Sequence, residues 1–432
     1  MRILLAHNSP YYPSFGGGDK SNRLLMAALA ARGHHVRVLA RVAQFGAEAH
    51  TRLAHDLEQR GMVVRPHAED LQFALEGVDV RVFTRGTSLR NWVSARMQES
   101  HSDIVLTSTD DPAQLMLGAA LQLNHACVIY LVRAIIALPF GPASSLPSPV
   151  RSDVLHQADG SVAVSQYVAQ YARDWNGLDT VHVPISLPDR LIYPELGRFD
   201  NRFVTMVNPC AGKGLAIFLG LARHFSEVRF AAVPTWGTTQ ADLAALRALP
   251  NVAILKPAEN IDEIFRQTRV ALVPSLWAEA RSRIILEAMA RAVPVLASDV
   301  GGMAEAMLGM DYVLPVRSVE RYCPDVDELM VPVMDIPEQD SRPWIEALER
   351  LLTDRAHYGD LSARSRAAAL AYAHSATVEP FEAYLKERLR VPRMRHVPAS
   401  TSPAPHPVHS LSSDKRRLLA ARLKKRKPAQ KD

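Results

Sequence analysis

The sequence has few cysteines, and their positions exclude two classes of protein. The three cysteines, Cys127, Cys210 and Cys323, lie far apart and show no Cys-x-x-Cys spacing. This argues against a disulfide framework and against a structural zinc site, so reduced thiols are expected. The sequence also lacks an Asp-x-Asp pair or a histidine cluster at a position typical of a metal site. We therefore expect no metal and no separate cofactor.

The sequence also has no apolar run that is predicted to cross a membrane. The most apolar window, Leu115 to Val132, contains Gln122, Asn124 and His125 in its middle. A lipid-spanning helix rarely tolerates such residues. The beginning, MRILLAHNSP, has the pattern of a first buried strand rather than that of a signal peptide. The predicted location is therefore the cytoplasm, with peripheral attachment at a membrane as a further option because of the basic tail.

Positive charge is concentrated in the last residues of the chain. The formal net charge is +5, yet residues 391–432 contain eleven Lys and Arg against two Asp, so the preceding residues are slightly acidic. Within this tail VPASTSPAPHPVHS is typical of a linker, and LSSDKRRLLAARLKKRK is predicted as either a solvated tail or a short basic helix. The helix resembles, over a short stretch, one found near carrier and condensation domains of modular synthases. The predicted partners of the tail are a synthase or an anionic membrane surface, and no specific nucleic acid is expected.

Apolar strand-like runs alternate with helical patterns along most of the 432 residues. RILLAHN, a helix from about Ser21 to Arg32, and HHVRVLAR form a βαβ unit, and SDIVLTST and ACVIYLV continue it. A proline-rich stretch follows, and then a second series begins at FVTMVNP. This length and this rhythm predict an α/β protein with two Rossmann-like, doubly wound parallel-sheet domains. The predicted bounds are 1–185 and 203–372, with a linker at 186–202.

A glycine-rich loop follows the first strand of each half. Gly16, Gly17 and Gly18 lie between the first strand and the first helix. VNPCAGKGLAIF repeats the arrangement in the second half, where Gly212, Lys213 and Gly214 precede a helix. Glycines at such a turn let backbone amides approach a ligand, and a helix N-terminus favours a phosphate. A lysine there can stabilise negative charge that grows on a leaving group. Either loop, alone, is also explained as an ordinary turn.

The stretch PSLWAEARSRIILEAMARAVPV is more specific. It predicts a strand end, a loop and a helix whose first amides, those of Arg283 and Ile284, can hold phosphate oxygens. Glu287 lies one turn into this helix, where its two oxygens can accept both hydroxyls of a ribose. Glu279, on the preceding loop, can reach the hydroxyls of a sugar. The following DVGGMAEA adds Gly301, Gly302 and Glu305 at another strand end.

These motifs together resemble the family 4 retaining nucleotide-sugar glycosyltransferases, which have the GT-B fold and a Glu, seven residues, Glu signature. The resemblance covers most of residues 1–389. It implies two domains facing across a cleft, an N-terminal acceptor domain, a C-terminal donor domain and a terminal helix, 373–390, that packs back on the N-terminal domain. It also implies that the glycine loops and Lys213 bind the donor diphosphate, Glu287 its ribose and Glu279 the transferred sugar. No metal is needed.

The sequence departs from the family pattern at five positions, one of which is Ala292 in place of a usual glycine. Asn208 stands where an arginine is usual, five residues before Lys213, and Arg281 and Ser282 replace a usual Phe-Gly. We expect all three beside the donor, with an altered sugar pocket. Arg133 stands where the family often has a histidine, after the strand VIYLV. Its expected role is contact with the diphosphate or with an acidic acceptor, or simply an ion pair with a neighbouring carboxylate.

The resemblance predicts transfer of a sugar from a nucleoside-diphosphate sugar to an acceptor, a glycan, lipid or natural product, with retained anomeric configuration. Lys213 and Glu279 are the predicted catalytic residues. Two alternatives remain at this stage. The same fold could serve a nucleotide-sugar epimerase or a phosphorylase, and the departures at Asn208, Arg281 and Ser282 are also compatible with a binding subunit without turnover.

Overall fold

Two sheets, one in each half of the chain, organise the structure, which is a computed structural model. It describes residues 1–14, 16–46, 48–86 and 88–391, and these lie within one compact unit, Met1–Pro392. The predicted tail was 391–432; its residues 392–432, and the predictions made for them, lie outside the described residues. Within the described part of the chain, no helix is both long enough and apolar enough to span a membrane.

The first sheet has nine strands in the order β3-β4-β5-β2-β1-β6-β7-β8-β9. The strands are β1 (Arg2–Ala6), β2 (His35–Arg41), β3 (Arg65–Pro66), β4 (Asp70–Leu75), β5 (Val78–Phe83), β6 (Ile104–Ser108), β7 (Cys127–Val132), β8 (Gly160–Ala163) and β9 (Thr180–His182). The neighbouring pairs from β5 to β9 are parallel, as predicted. The antiparallel extension through β4 to β3 was not predicted.

The second sheet has six parallel strands in the order β12-β11-β10-β13-β14-β15, and a separate hairpin follows it. The strands are β10 (Phe203–Val207), β11 (Phe230–Val233), β12 (Val252–Ile254), β13 (Thr268–Val273), β14 (Val295–Ser298) and β15 (Val313–Leu314), and the hairpin strands are β16 (Tyr322–Val326) and β17 (Pro332–Met334). The two parallel series confirm the predicted α/β class with two Rossmann-like halves.

Helices follow most strands. In the first half they are α1 (Gly17–Ala31), α2 (Ala49–Gln59), α3 (Leu89–Ser100), α4 (Leu115–Leu121), α5 (Pro149–Leu155) and α6 (Gln166–Asn176). In the second half they are α7 (Leu215–His224), α8 (Gln240–Arg247), α9 (Asp262–Phe265), α10 (Arg283–Ala290), α11 (Met303–Ala306), α12 (Arg342–Thr353), α13 (Arg355–Ser375) and α14 (Glu379–Arg390). Helix α1 begins four residues before the predicted start, because Asp19 in its first turn accepts the N–H of Gly16 at 3.3 Å.

Burial explains why the strands read as continuous apolar runs. All of β6 and β7 is buried, as expected for parallel strands covered on both faces. Each half builds its own apolar core around its sheet. Helix α14, although last in the chain, contributes Phe381 and Leu385 to the core of the first half. It is also tied there by Glu382, which accepts from Arg32 Nε at 2.6 Å.

Candidate functional site

The predicted site loops of the second half follow strands that are neighbours in its sheet. Strand β10 lies between β11 and β13, and β14 lies beyond β13. The loop with Lys213 follows β10, the loop with Glu279 follows β13, and the Gly301–Gly302 turn follows β14. Because parallel strands end at the same edge, these loops meet at the carboxyl edge of the sheet, where open α/β sheets bind ligands.

The structure brings Lys213 and Glu279 into direct contact. Nζ of Lys213 donates to Oε1 of Glu279, and the same oxygen accepts from Trp277 Nε1 at 2.8 Å and from Ser275 Oγ at 3.0 Å. Burial opposes ionisation of Glu279, but Lys213 and the two hydrogen bonds outweigh it and lower the pKa of this carboxyl. Glu279 is therefore a carboxylate at neutral pH. It is an acceptor for hydroxyls, and it is not poised as a general acid.

Glycines allow the two loops to approach each other this closely. Gly214 has φ 84°, and a Cβ there would overlap the carbonyl oxygen of Pro274. The carbonyl oxygen of Gly212 accepts the N–H of Leu276 at 2.9 Å. A Cβ at Gly212 would meet the Trp277 ring. Packing is therefore sufficient to explain why glycine occupies both positions. The predicted contact of Gly212 and Gly214 with a donor stays a prediction.

Asn208 supplies no charge where the family pattern has an arginine. It ends β10 with φ 58°, and its Oδ1 accepts the N–H of Gly237 at 3.0 Å. Its Nδ2 is buried and has no hydrogen-bond partner among the described residues. The amide oxygen therefore fixes the loop after β11.

Glu287 lies one turn into α10 and is held by two cations. Its Oε1 accepts from Lys20 Nζ at 2.9 Å and from Arg283 Nη2 at 3.3 Å. Lys20, on α1, also donates to Asp189 at 3.1 Å. Burial raises the pKa of Asp189, but Lys20 outweighs this and brings it to about 2. The first amides of α10, those of Arg283 and Ile284, have no partner within the helix because of their position.

The glycine loop of the first half faces the start of α10. A Cβ on Gly17 would lie 3.7 Å from Cδ of Arg283, Gly16 is the residue before α1, and Gly18 has open space. The Arg283 side chain reaches α1 of the first half, where Nη1 donates to Ser21 Oγ at 3.3 Å. In the connecting segment the same nitrogen donates to Ser186 Oγ at 3.1 Å and to the carbonyl oxygen of Leu187 at 2.9 Å. The predicted donor loops of the two halves are thus adjacent.

The Arg281 side chain contacts Glu305 and Tyr372, and Ser282 begins the approach to α10. Arg281 Nη1 donates to Glu305 Oε1 at 3.2 Å, and its guanidinium carbon lies 4.3 Å from the centre of the Tyr372 ring. Its side chain is only 3% exposed. Ser282 is buried and precedes α10. Arg281 therefore holds the loop against α13, and its expected contact with a donor sugar stays a prediction.

Arg133 follows β7 and reaches the segment that connects the halves. Its backbone N–H donates to Thr109 Oγ1 at 3.0 Å, and Nη1 donates to the carbonyl oxygen of Ile185 at 3.1 Å. Nε and Nη2 are buried without a partner among the described residues. The sequence alternative of an ion pair with a neighbouring carboxylate is thus not the arrangement in the structure.

A buried histidine at the end of β1 was not anticipated from the sequence. His7 Nδ1 lies 3.0 Å from Asp110 Oδ2, and Nε2 lies 3.2 Å from Asp19 Oδ1 and 2.9 Å from Ser9 Oγ. Burial lowers the pKa of His7, but Asp110 and Asp19 outweigh it and raise the pKa to about 10. His7 is thus an imidazolium that joins the first turn of α1 to the loop after β6. Within the described residues, no group of three or more His, Cys, Asp or Glu is arranged to hold a metal ion.

We expect the stability contributed by His7 to fall with rising pH. The pKa is about 10 in the folded protein and about 6.5 in an unfolded chain. The contribution is therefore complete below about pH 6.5 and is lost as the pH rises toward 10. His7→Gln should lower the free energy of unfolding by about 3 kcal/mol at pH 6, and by clearly less at pH 9.5. Urea unfolding of both proteins at both pH values checks this. A difference in unfolding free energy between wild type and variant that does not change with pH would contradict it.

A stacked pair of tryptophans lies next to Lys213, with Trp277 as the ring that the lysine contacts. The rings of Trp236 and Trp277 are stacked, with centroids 6.2 Å apart and an interplanar angle of 5°, and Lys213 Nζ lies 5.5 Å from the centre of the Trp277 ring. Met334 of the hairpin would meet a Cβ on Gly212. Neither Trp236 nor the hairpin was predicted as part of the site, because both depend on contacts between distant segments.

The comparisons with known proteins indicate a glycosyltransferase. Residues 206–354 match the family described as Glycosyl transferases group 1, and this segment contains Asn208, Lys213, Glu279 and Glu287. A search of curated proteins gave no match. The match to about a third of the chain supports the predicted resemblance to glycosyltransferases.

Solved structures are similar over nearly the whole chain. Sucrose-phosphate synthase from Thermosynechococcus elongatus has a TM-score of 0.65 at 17% identity, covering 90% of this chain and 99% of that one. Anabaena HepE in complex with UDP-glucose has a TM-score of 0.59 at 16% identity, with coverage of 90% and 99%. A glycosyltransferase from Rickettsia africae has a TM-score of 0.60 at 12% identity, also with 90% and 99%. At these identities the likeness shows the fold, and it confirms the predicted GT-B architecture.

Proposed function

We propose that this protein is a retaining glycosyltransferase that moves a sugar from a nucleoside-diphosphate sugar to an acceptor hydroxyl. The observation that carries the proposal is the Lys213–Glu279 pair at the strand ends, beside the start of α10. The pair lies in the segment that matches the glycosyl transferases group 1 family. Transfer needs a cation for the leaving diphosphate and an acceptor group for sugar hydroxyls, and this pair offers both.

In the proposed reaction, the bond between the anomeric carbon and the diphosphate oxygen breaks first, and its electron pair goes to the leaving diphosphate. Lys213 Nζ and the first amides of α10 stabilise the growing negative charge. The acceptor hydroxyl then attacks the oxocarbenium-like carbon from the same face, and its proton passes to the departing phosphate oxygen. The anomeric configuration is thereby retained.

The ion pairs of the site indicate how a donor would be admitted. Lys213 is bound to Glu279, and Glu287 is bound to Lys20 and Arg283. A donor would replace each intramolecular partner with an equivalent one, because its diphosphate competes with Glu279 for Lys213 and its ribose hydroxyls compete with Lys20 for Glu287. Every charged group would then keep a partner on binding, which lowers the cost of desolvation.

A screen of nucleotide sugars tests the proposal. UDP-, GDP- and ADP-sugars are compared by thermal shift, since a specific donor stabilises the folded state by mass action. The donors that bind are then incubated with candidate acceptors, and release of the nucleoside diphosphate is measured. We expect at least one donor to raise the melting temperature and to be consumed. The absence of any turnover of a bound donor would overturn the proposal.

One observation favours a second candidate, a nucleotide-sugar-binding subunit without turnover. Asn208 supplies no positive charge, and its Oδ1 is used to hold Gly237. Donor binding without transfer and without slow hydrolysis would support this candidate over the enzyme. An epimerase of the same fold would release a changed nucleotide sugar instead, and product analysis distinguishes it.

A further inference from the structure

Helix α6 carries a row of aromatic side chains on one face. Tyr167, Tyr171 and Trp175 follow each other at intervals of four residues, and this spacing places them one above the other on a helix. The ring centroids are 6.4 Å apart from Tyr167 to Tyr171 and 6.3 Å apart from Tyr171 to Trp175. Two helical turns separate the first residue from the last, so this aromatic row extends over about 12 Å.

The aromatic row begins against the loop that carries Glu279. Ser165, the residue before α6, donates from its Oγ to the carbonyl oxygen of Ala280 at 2.7 Å. The N–H of Tyr167 donates to Glu305 Oε2 at 3.2 Å. These two hydrogen bonds hold the first turn of α6 beside the site of the second half, and the row continues from there along the helix.

Tyr322, on strand β16 of the hairpin, is a neighbour of both the row and the site. Burial and then the charges of Tyr171 and Glu279 raise the pKa of the Tyr322 hydroxyl. Tyr322 is paired across the hairpin with Met334, which a Cβ on Gly212 would meet. The hairpin therefore borders both the aromatic row and the site.

The two ends of the row are accessible, and its middle is packed. Tyr167 is 38% exposed and Trp175 is 55% exposed, whereas Tyr171 is buried. The Tyr171 ring stacks on Phe140 with a centroid distance of 6.2 Å, and its hydroxyl donates to the carbonyl oxygen of Phe140 at 3.2 Å. Leu146, six residues after Phe140, is also exposed. A fixed central ring thus supports two rings that a ligand can contact.

The polar side chains of α6 are bonded to one another. Gln170 Nε2 donates to Asp174 Oδ1 at 2.6 Å, and Arg173 Nη2 donates to Gln170 Oε1 at 3.0 Å. A carbohydrate chain on this helix would need such groups for its hydroxyls, which both donate and accept hydrogen bonds. Accessible aromatic surface beside a site is typical of binding to an apolar ligand. The helix therefore favours an apolar, flat ligand over a glycan.

We propose that the aromatic row on α6 binds a flat aromatic ring system carried by the acceptor. The inference rests on the proposed function and adds to it the chemical class of the acceptor. Aromatic rings attract one another in offset-stacked or edge-to-face arrangements, and Tyr167 and Trp175 offer such contacts. The reacting hydroxyl would lie at the Glu279 end of the row, and the ring system would extend toward Trp175.

Isothermal titration calorimetry with three glucosides tests the proposal. Naphthyl β-glucoside carries an aromatic ring system, octyl β-glucoside an alkyl chain and methyl β-glucoside neither, so the three differ only in the group attached to the sugar. We expect the wild type to bind the naphthyl glucoside about tenfold or more tightly than the other two. Equal affinity for the octyl glucoside would indicate a lipid acceptor, and equal affinity for the methyl glucoside a carbohydrate. Either result, or no binding of the naphthyl glucoside, would overturn the proposal.

Substitutions in the row test which residues make the contact. Tyr167→Ala and Trp175→Ala should each weaken binding of the naphthyl glucoside about tenfold. Tyr167→Phe keeps the ring and should bind like wild type. Asp174→Ala, on the same helix but outside the row, is the matched control and should also bind like wild type. Unchanged affinity in both alanine variants of the row would overturn the proposal.

The melting temperature separates a binding role of the two rings from a structural one. Because Tyr167 and Trp175 are exposed, both alanine variants should melt within about 2 °C of the wild type. A decrease of several degrees in both would assign the rings to the packing of α6 and would overturn the proposal. These measurements need neither a donor nor turnover, so their failure is distinguishable from a failure of the transferase proposal.

Discussion

Replacing Lys213 with alanine is expected to lower the turnover number about 100- to 1000-fold, because the leaving diphosphate would lose the cation that the proposed mechanism assigns to it. The contact with Glu279 shows that this ammonium group is directed to the carboxyl edge of the sheet. Steady-state release of the nucleoside diphosphate measures the effect. Exposed Lys256, in the loop after β12, provides the matched control Lys256→Ala, which should keep wild-type turnover.

A stability measurement distinguishes a loss of catalysis in Lys213→Ala from a loss of folded protein. Lys213→Ala leaves Glu279, whose side chain is 13% exposed, without its cation. We expect part of the folding stability to be lost, because an uncompensated charge remains in a poorly solvated place. Lys213→Ala combined with Glu279→Gln should recover that stability without recovering turnover. Recovery of turnover in the double variant, or wild-type turnover in both Lys213→Ala and Glu279→Ala, would contradict the assignment.

Glu287→Ala is expected to weaken binding of the nucleoside diphosphate about 10- to 100-fold, because two charge-assisted hydrogen bonds to the ribose are lost. The effect should depend on the ribose hydroxyls. Affinity for the 2′,3′-dideoxy analogue of the same nucleotide should be weak in the wild type and almost unchanged by the substitution. Calorimetric titration of both nucleotides into both proteins gives the required comparison.

Two further results complete the test of Glu287. Glu346→Gln, at an exposed position of α12, should leave both affinities unchanged. Glu287 Oε1 accepts hydrogen bonds from Lys20 Nζ at 2.9 Å and from Arg283 Nη2 at 3.3 Å. Loss of Glu287 therefore also releases these two cations. An equal loss of affinity for the normal and the dideoxy nucleotide would assign Glu287 to the closure of the cleft and not to the ribose.

The local elements could be predicted from the sequence because their causes are local. Strand β7 is a continuous apolar run, and helix α10 follows a loop and carries an apolar stripe of Ile285, Ala288 and Met289. The βαβ rhythm then indicated two Rossmann-like halves. The sequence predicts the start of α1 too late, because glycines are typical of loops. In the structure Asp19 stabilises a first turn that contains glycines.

The unpredicted parts of the site depend on contacts between distant segments. Lys20 and Glu287 are separated by 267 positions, and no spacing in the sequence relates them. His7 is paired with Asp110 in the same way, across neighbouring strands β1 and β6. The β16–β17 hairpin is local, but the approach of its Met334 to Gly212 and the stacking of Trp236 on Trp277 also join distant segments.

The most direct test of the central claim is the anomeric configuration of the first product. The donor that binds best is incubated with the protein at high concentration, with water as the acceptor, and proton NMR follows the sugar released before mutarotation. An α-linked donor should give the α-anomer together with the nucleoside diphosphate, and Lys213→Ala should abolish both signals. First release of the β-anomer, or no release above the uncatalysed rate, would contradict retaining transfer at this site.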